Sequence, residues 1–416
     1  MMKRPGIYRS MLASALGLMV CAPALAQAGG FAVYTHGASA LGQGNAVVAN
    51  GDDPSVIFFN PALLSQLPGT QVQAGTTLIF SSGDFRSDLT GRSYDKDSDL
   101  FLPSTFYLSH QLNDKVTAGL GVFSPFGLGN DWGKEWEGRF IATNSELKSF
   151  NVNPVVSVRV NPRLAVAGGL NLIYLDATLE RQLPGPALGL PPGLEVGQKF
   201  SGDGTGVGLN LGMLLDLTDD LALGVSYRSE MKVDISGDVF LSAPVGIRLP
   251  GKTDLTLPQQ AFAGLYYKGF DPLTFEIGLT WEGWSSFDEL RIELADGSSS
   301  VTPRDWNNSF IYNFGVRYRL NPTVTLLAGY LYGETPVPDH TFDPSIPDSD
   351  THLFSLGTDL NFNRCKVAFS YAYQRFESRT KNNLIGASPV AESTDLANGT
   401  YKSDLHLVAL GLTYRF

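Results

Sequence analysis

The chain has 416 residues, a formal net charge of −11, 43% hydrophobic residues and only 17% charged ones. Its mean hydropathy of −0.01 excludes a helical membrane protein, whose apolar runs of about 20 residues would lift the average well above zero. The 45 glycines and 11% aromatic residues exclude a disordered polymer and suit many short strands and turns, in several soluble domains or one large barrel.

Lys3, Arg4 and Arg9 precede an apolar run from Met11 to Ala22, followed by Pro23 and small residues. This pattern predicts a secretory signal over 1–28, cut after Ala28 or after Ala26. The run is too short to span a bilayer as a helix. Val20 stands before Cys21 where a lipoprotein signal wants a small residue, so a lipid anchor is set aside. Loss of three basic and no acidic residues makes the remainder still more acidic, a poor partner for nucleic acid. It also leaves Cys365 alone, without an intramolecular disulfide.

From Thr70 to Phe416 the dominant signal has period two, the mark of strands. Val408, Leu410, Leu412, Tyr414 and Phe416 share one face; Ala409, Gly411, Thr413 and Arg415 share the other. The same alternation runs through Lys366–Gln374 and Phe310–Arg319. A soluble sandwich buries its apolar face, but here that face is rich in aromatics, as on a barrel that meets lipid. Short turns are predicted near Asn113-Asp114, Asn161-Pro162, Thr218-Asp220, Gly269-Asp271, Asn321-Pro322 and Asn363-Arg364. They alternate with long connections at about 81–100, 124–143, 181–203, 236–256, 295–305, 335–350 and 379–401. The alternation predicts an all-β transmembrane barrel of about fourteen antiparallel strands, with periplasmic turns and extracellular loops. The barrel is expected over 70–416, closed on itself because lipid cannot satisfy a free edge. Tyr414 and the terminal Phe416 resemble the assembly signal of bacterial outer-membrane proteins.

Residues 29–69 lack strand alternation yet carry Phe31, Val47, Val48, Ile57, Phe58, Phe59, Leu63 and Leu64. Exposing these to water would cost about 25 cal/mol per Å², so they are expected to fold into the lumen as a small helical hatch. Gly29-Gly30-Phe31, Asp52-Asp53-Pro54-Ser55 and Phe58-Phe59-Asn60-Pro61-Ala62 resemble the N-terminal hatch of the FadL/TodX family of outer-membrane transporters. Further matches follow in order: Ser124-Pro125-Phe126-Gly127-Leu128 after strand three, Tyr227-Arg228-Ser229-Glu230 in strand seven and Trp284-Ser285-Ser286-Phe287 in strand nine. Thr335-Pro336-Val337-Pro338-Asp339 and Ile346-Pro347-Asp348-Ser349-Asp350 close the series in the sixth long loop.

The resemblance implies passive transport of long-chain fatty acids or other hydrophobic compounds, including aromatic hydrocarbons, across a Gram-negative outer membrane. It implies capture in a groove between the third and fourth loops, a lumen pocket, a shift of the hatch, and exit sideways at a kink in strand three. The third loop holds Leu183, Leu188, Leu190, Leu194 and Val196; the fourth holds Phe240, Leu241, Val245, Ile247 and Leu249. They read as a binding surface or as two loops packed into a lid. Gly119 and Gly121, ahead of Pro125, are the candidate kink.

A carboxylate ligand would want a lumen cation, and Arg317, Arg319 and Lys366 share the polar strand face, without a choice among them. Gly202-Asp203-Gly204-Thr205-Gly206 is followed by no helix and reads as a loop and strand start. His36, His110, His340, His352 and His406 show no metal spacing. Asp339, Asp343, Asp348 and Asp350 form an acidic loop that reads as solvated, with Ca²⁺ the lesser alternative. No cofactor and no enzymatic activity are expected. The expected partners are outer-membrane lipid and lipopolysaccharide, a hydrophobic small molecule and the barrel-assembly machinery, with the chain acting as a monomer. A general diffusion porin is the alternative.

Overall fold

Phe310, Tyr312 and Phe314 are exposed, whereas Ile311 and Asn313 between them are buried. Phe369 and Tyr371 are likewise exposed, while Lys366, Ala368, Ser370 and Ala372 are buried. Apolar side chains outside and small or polar ones inside invert the order of a water-soluble sheet, and suit a wall bathed in lipid.

The computed structural model describes residues 29–97, 100–386 and 397–416. The signal-peptide reading of 1–28 lies outside the described residues. The wall consists of fourteen antiparallel strands. In chain order they are β1 Thr70–Ser87, β2 Ser104–Gln111, β3 Val116–Phe123, β4 Asn144–Asn161, β5 Leu164–Pro184, β6 Glu195–Asp216 and β7 Leu221–Arg228. There follow β8 Gln260–Phe270, β9 Leu273–Glu282, β10 Ser309–Arg319, β11 Val324–Gly333, β12 Thr351–Phe362, β13 Cys365–Phe376 and β14 Gly399–Arg415. Each strand pairs with the next, and β14 pairs with β1 from Gln71↔Arg415 to Ser87↔Gly399, closing the ring.

The strands are longer than expected on the long-loop side. β5 and β6 have 21 and 22 residues, about twice the 9–11 that cross a bilayer, and remain paired to Pro184↔Glu195. The connection expected at 181–203 therefore shrinks to 185–194. Pairing persists through Leu179↔Phe200, Arg181↔Gln198 and Leu183↔Val196, and Pro184 is the first residue there without a ladder donor. The expected loop 236–256 is also paired, as a hairpin of Met231–Leu241 and Ile247–Leu257. This hairpin extends β6 through Val239↔Phe200 and Leu241↔Gln198. A further hairpin, Glu289–Leu294 and Ser299–Pro303, joins it through Gly251↔Leu294. Trp284–Ser286 form a 3₁₀ turn just past β9 rather than part of the strand.

Residues 29–69 form two short helices, Ala38–Gly42 and Val56–Phe59, and a 3₁₀ helix, Pro61–Gln66. Inward side chains from around the ring bind its backbone. Tyr107 on β2 donates to the His36 carbonyl, Ser157 on β4 to Ala62 and Arg228 on β7 to Phe58. Asn313 on β10 donates to Gly44 and Ser370 on β13 to Ala38. These partners lie on five different strands of the wall. The segment's backbone also lies against the wall: a Cβ on Gly329 would overlap the Gly44 nitrogen.

Candidate functional site

The Asn-Pro-Ala step is a cap that doubles as a fastener. Asn60 has extended backbone, and its Oδ1 accepts from the Ala62 amide at 3.1 Å. Pro61, lacking an N–H, opens the helix where a donor would be idle. The Asn60 amide nitrogen donates to Val48 at 2.8 Å and to Met213 of β6 at 2.9 Å. One side chain thus fixes the turn, the segment and the wall together.

Asp52 and Asp53 meet the wall at a second point. Arg317 reaches Asp52 at 2.9 Å and Asp359 at 3.4 Å; Lys366 reaches Asp53 at 2.9 Å and Asp359 at 3.2 Å, and also pairs with Asp52. Ser39 donates to Asp359 at 2.6 Å. Burial alone would raise the Asp52 carboxyl, but the charges of Arg317 and Lys366 hold it well below its usual range. Asp53 is lowered in the same way, chiefly by Lys366. Two of the three cations weighed for a ligand carboxylate are therefore occupied by the chain itself. The third, Arg319, pairs with Asp271 at the short-turn rim. His36 is pushed down to about 3 by burial, stacks on Phe58 and lies 2.6 Å from the Val33 carbonyl.

Above this cluster lie two adjoining cavities. The outer, about 450 Å³, is walled by Ile141, Leu179, Leu183, Leu290, Ile292 and Leu294, with Leu384 from the seventh connection. That volume falls within the roughly 300–1,000 Å³ typical of small-molecule pockets. The inner, about 50 Å³, is almost wholly apolar and ends at Phe31, Leu128, Leu147, Ile235 and Ile346. Leu179, Phe200, Leu290 and Arg304 line both.

Arg304 is buried at this junction. It donates to Asp343 at 2.7 Å and to the Ser345 hydroxyl at 3.1 Å, while its Nε has no partner among the described residues. Sequence reasoning passed over it, because an arginine in a polar connection resembles any solvated one.

Phe31 forms the floor. Its ring lies 4.6 Å from that of Trp284, 5.8 Å from Trp306 and 6.1 Å from Phe126. Gly30 has φ of +60°, and a Cβ there would stand 2.6 Å from Trp306, so only glycine fits beside the rings.

The wall is broken next to this floor. Gly119 and Gly121 do not make the break: they pair with Ser109 and Tyr107 on β2 and with Val155 and Asn153 on β4. Their missing side chains instead leave room for Leu64 and Ile57. The irregularity lies at Ser124–Phe126. Pairing with β4 runs to Phe123↔Asn151 and resumes at Gly127↔Lys148, so one extra residue bulges from strand three. Pro125 has no donor for the ladder, and the Ser149 hydroxyl binds both the amide and the carbonyl of Phe126. On the other side the last β2 pair is Phe106↔Val122. Beyond it strand three turns to the N-terminal segment, with Val33 N donating to Pro125 and Gly127 N to Phe31, both at 2.9 Å.

Of the expected groove residues, Leu183 lines the outer cavity, and Val196 is buried beside it. Leu194, Phe240 and Ile247 are exposed, and Leu188, Leu190, Leu241, Val245 and Leu249 are half-buried, none of them in the cavity. The acidic loop is solvated only in part: Asp343 and Asp348 are buried, Asp350 is half-buried and Asp339 is exposed. Asp343 takes Arg304, Asp339 takes Arg379, Asp350 accepts from Tyr332 and Thr335, and Asp348 accepts from Gly30 and Thr335. Tyr414 and Phe416 meet edge to face, ring centres 4.8 Å apart, on the outer face near the short-turn rim.

A closed fourteen-stranded wall, lipid-facing outside and holding a largely apolar cavity inside, defines an outer-membrane transport barrel for hydrophobic compounds. Residues 19–416 match the model of the outer membrane protein transport protein family (OMPP1/FadL/TodX), and the chain belongs to that family. It is 25% identical to the 47 kDa outer membrane protein of Pasteurella multocida, over 100% of both chains. It is 26% identical to the long-chain fatty acid transport protein of Escherichia coli O6:H1, over 85% of this chain and 88% of that one. The fold matches a Pseudomonas aeruginosa FadL homologue with a TM-score of 0.84 at 20% identity, covering 93% of this chain and 100% of the other. It matches the Pseudomonas putida toluene transporter TodX at 0.71 and 17% identity, covering 91% and 98%. The protein resides in the Gram-negative outer membrane.

Proposed function

We propose that the protein carries long-chain fatty acids inward without direct energy input, and that residues 29–69 act as a hatch within the barrel of 70–416. The observation that carries this reading is Arg304, a buried guanidinium with an unpartnered Nε between a roomy outer cavity and an apolar inner one. A carboxylate head group satisfies that donor while its chain enters the apolar space, where each buried CH₂ contributes about 0.8 kcal/mol. The exposed Leu194, Phe240 and Ile247 of the third and fourth connections make first contact. Displacement of Phe31 then joins the inner cavity to the break at Ser124–Phe126, and ligand leaves sideways into the membrane. A wall that closes on itself works as a monomer in contact with lipid and lipopolysaccharide, and Tyr414 and Phe416 serve recognition by the assembly machinery. No step calls for a nucleophile or cofactor, so the protein acts as a transporter rather than an enzyme.

The test is mass spectrometry of lipids retained by the purified protein, with Arg304→Gln alongside. Wild type is expected to retain fatty acid, and the variant at least about tenfold less, the loss of one charge-assisted hydrogen bond. Retention of neutral aromatic compounds, unchanged by the substitution, would favour the hydrocarbon reading. Large steady currents from the intact protein in planar bilayers would favour a porin.

A further inference from the structure

Glu282 and Asp348 are fully buried near the start of the N-terminal segment. Glu282 ends β9; its donors among the described residues are neutral, namely Tyr34 at 2.6 Å, Gln260 at 2.7 Å and Trp284 at 3.0 Å. Asp348 accepts through Oδ2 from the Gly30 amide at 3.1 Å and from Thr335, while its Oδ1 is buried without a partner among the described residues. Arg379 approaches, but donates to the Asp348 backbone carbonyl at 2.8 Å rather than to the carboxylate. Ser309 Oγ, beside them, is also buried and unpartnered. Two carboxylates out of water need a cation, since a buried unpaired charge costs several kcal/mol. Burial pushes the Asp348 carboxyl up to about 6, the expected response when that cation is missing.

We propose that the chain is processed between Ala28 and Gly29, and that the new α-ammonium docks on Glu282, Ser309 and the Glu334 carbonyl, beside Asp348. The geometry at Gly29 supports this docking. A Cβ built there would lie 3.0 Å from Glu282 Oε2 and 3.5 Å from both Ser309 Oγ and the Glu334 carbonyl oxygen. With the bond to Ala28 cut, a third of a turn about the Gly29 Cα–C bond moves the nitrogen into that position. An ammonium has three N–H donors, and three acceptors stand around the position.

Processing is hydrolysis by an export-linked peptidase that reads small residues, here Ala26 and Ala28. Water gives its hydroxyl to the Ala28 carbonyl carbon and a proton to the Gly29 nitrogen, so atoms balance. A cut after Ala26 leaves Gln27 and Ala28 ahead of Gly29 and carries the amine away from the acceptors.

The experiment begins with N-terminal sequencing and intact mass of the protein from purified outer membranes. A start at Gly29 is expected, and a start at Gln27 overturns the proposal. The amine is then acylated at pH 7 with an N-hydroxysuccinimide ester, in folded and in denatured protein, and the N-terminal peptide is quantified. An ion pair that raises the amine by about one pKa unit slows labelling about tenfold. Burial alone also slows it, so Glu282→Gln, which keeps the shape and removes the charge, is compared. Labelling of the folded variant is expected to accelerate several-fold. Labelling unchanged by Glu282→Gln overturns the ion pair, as does equal labelling of folded and denatured wild type. Asp348→Asn, a loop substitution that leaves β9 intact, serves if Glu282→Gln fails to assemble, with the same two outcomes.

Discussion

Residues 48–62 and residues 30–34 belong to one short segment, yet the first stretch is fastened by paired charges, and the second by rings and by neutral donors, Gly30 and Tyr34, on Asp348 and Glu282. Asp52 and Asp53 meet Arg317, Lys366 and Asp359, and Asn60 is tied to β6. Phe31 and Val33 rely on aromatic contacts and on main-chain bonds to strand three at its bulge. Ionic and capping contacts are directional and hold one geometry. Packing between rings is lost gradually and regained in other arrangements. The stretch around Asp52, Asp53 and Asn60 is therefore the more directionally held of the two.

The comparison breaks most sharply at Lys366. Lys366→Ala leaves three carboxylates facing one guanidinium, and removing one partner of a buried ionic group costs about 3–5 kcal/mol. The barrel should still assemble, because its strand pairing is untouched. The segment should become protease-sensitive, and single-channel current should rise. Unchanged protection and current would mean that the charges do not anchor it.

Filling the space reserved for the segment is the next largest change. Gly119→Val drives a side chain toward Leu64 and Ile57, with the first Cβ already 2.7 Å from Leu64. Overpacking of this kind costs about 1–3 kcal/mol. Loss of segment protection, with normal heat-modifiability of the barrel on gels, is the expected result. Loss of the barrel itself would show that these glycines serve the wall and not the segment.

These two sites also show what a sequence carries. The wall was legible in detail: six short turns and the in–out alternation follow from a period of two that lipid outside and segment inside both enforce. The extent of β5 and β6 beyond the membrane was not, since Leu179-Glu180-Arg181-Gln182-Leu183 mixes polar and apolar residues without a period of two, as a loop does, and only its pairing shows a strand. Gly119 and Gly121 drew attention as breakers, but a glycine in a strand marks either a bend or a close neighbour, and only the neighbours Leu64 and Ile57 decide between them. Arg317 and Lys366 were visible as inward cations. That their partners were Asp52 and Asp53, over 260 residues away, could not be read from spacing.

Acid sharpens the contrast between the two ends. Asp52 and Asp53 have carboxyls held below the usual range in the folded state, so they contribute stability that is fully present above the unfolded value of about 3.9. That contribution is lost as pH falls through the folded values. Protection of the anchored end from protease should therefore persist at pH 5 and decline below about pH 4. The other end responds first: Trp284 donates to buried Glu282, and burial pushes the neighbouring Asp348 carboxyl up to about 6, so Trp284 fluorescence should change with acid before the anchored end loses protection. Loss of protection already at pH 6 would assign the anchoring to other groups.

The smallest effect is expected at Pro125. Pro125→Ala restores a backbone donor to strand three but leaves the Ser149 hydroxyl on Phe126 and the two main-chain bonds to Phe31 and Val33. The extra residue between Phe123 and Gly127 also remains, so the bulge survives the substitution. Stability should change by less than about 1 kcal/mol, the size of a proline effect on the unfolded chain. Uptake of a labelled fatty acid should fall by no more than about fivefold, the equivalent of that energy. A larger fall would mean that proline alone keeps the wall open, so that the Ser149 bridge contributes little. No fall at all, in a variant shown to bind ligand, would separate the break in the wall from the route by which ligand leaves.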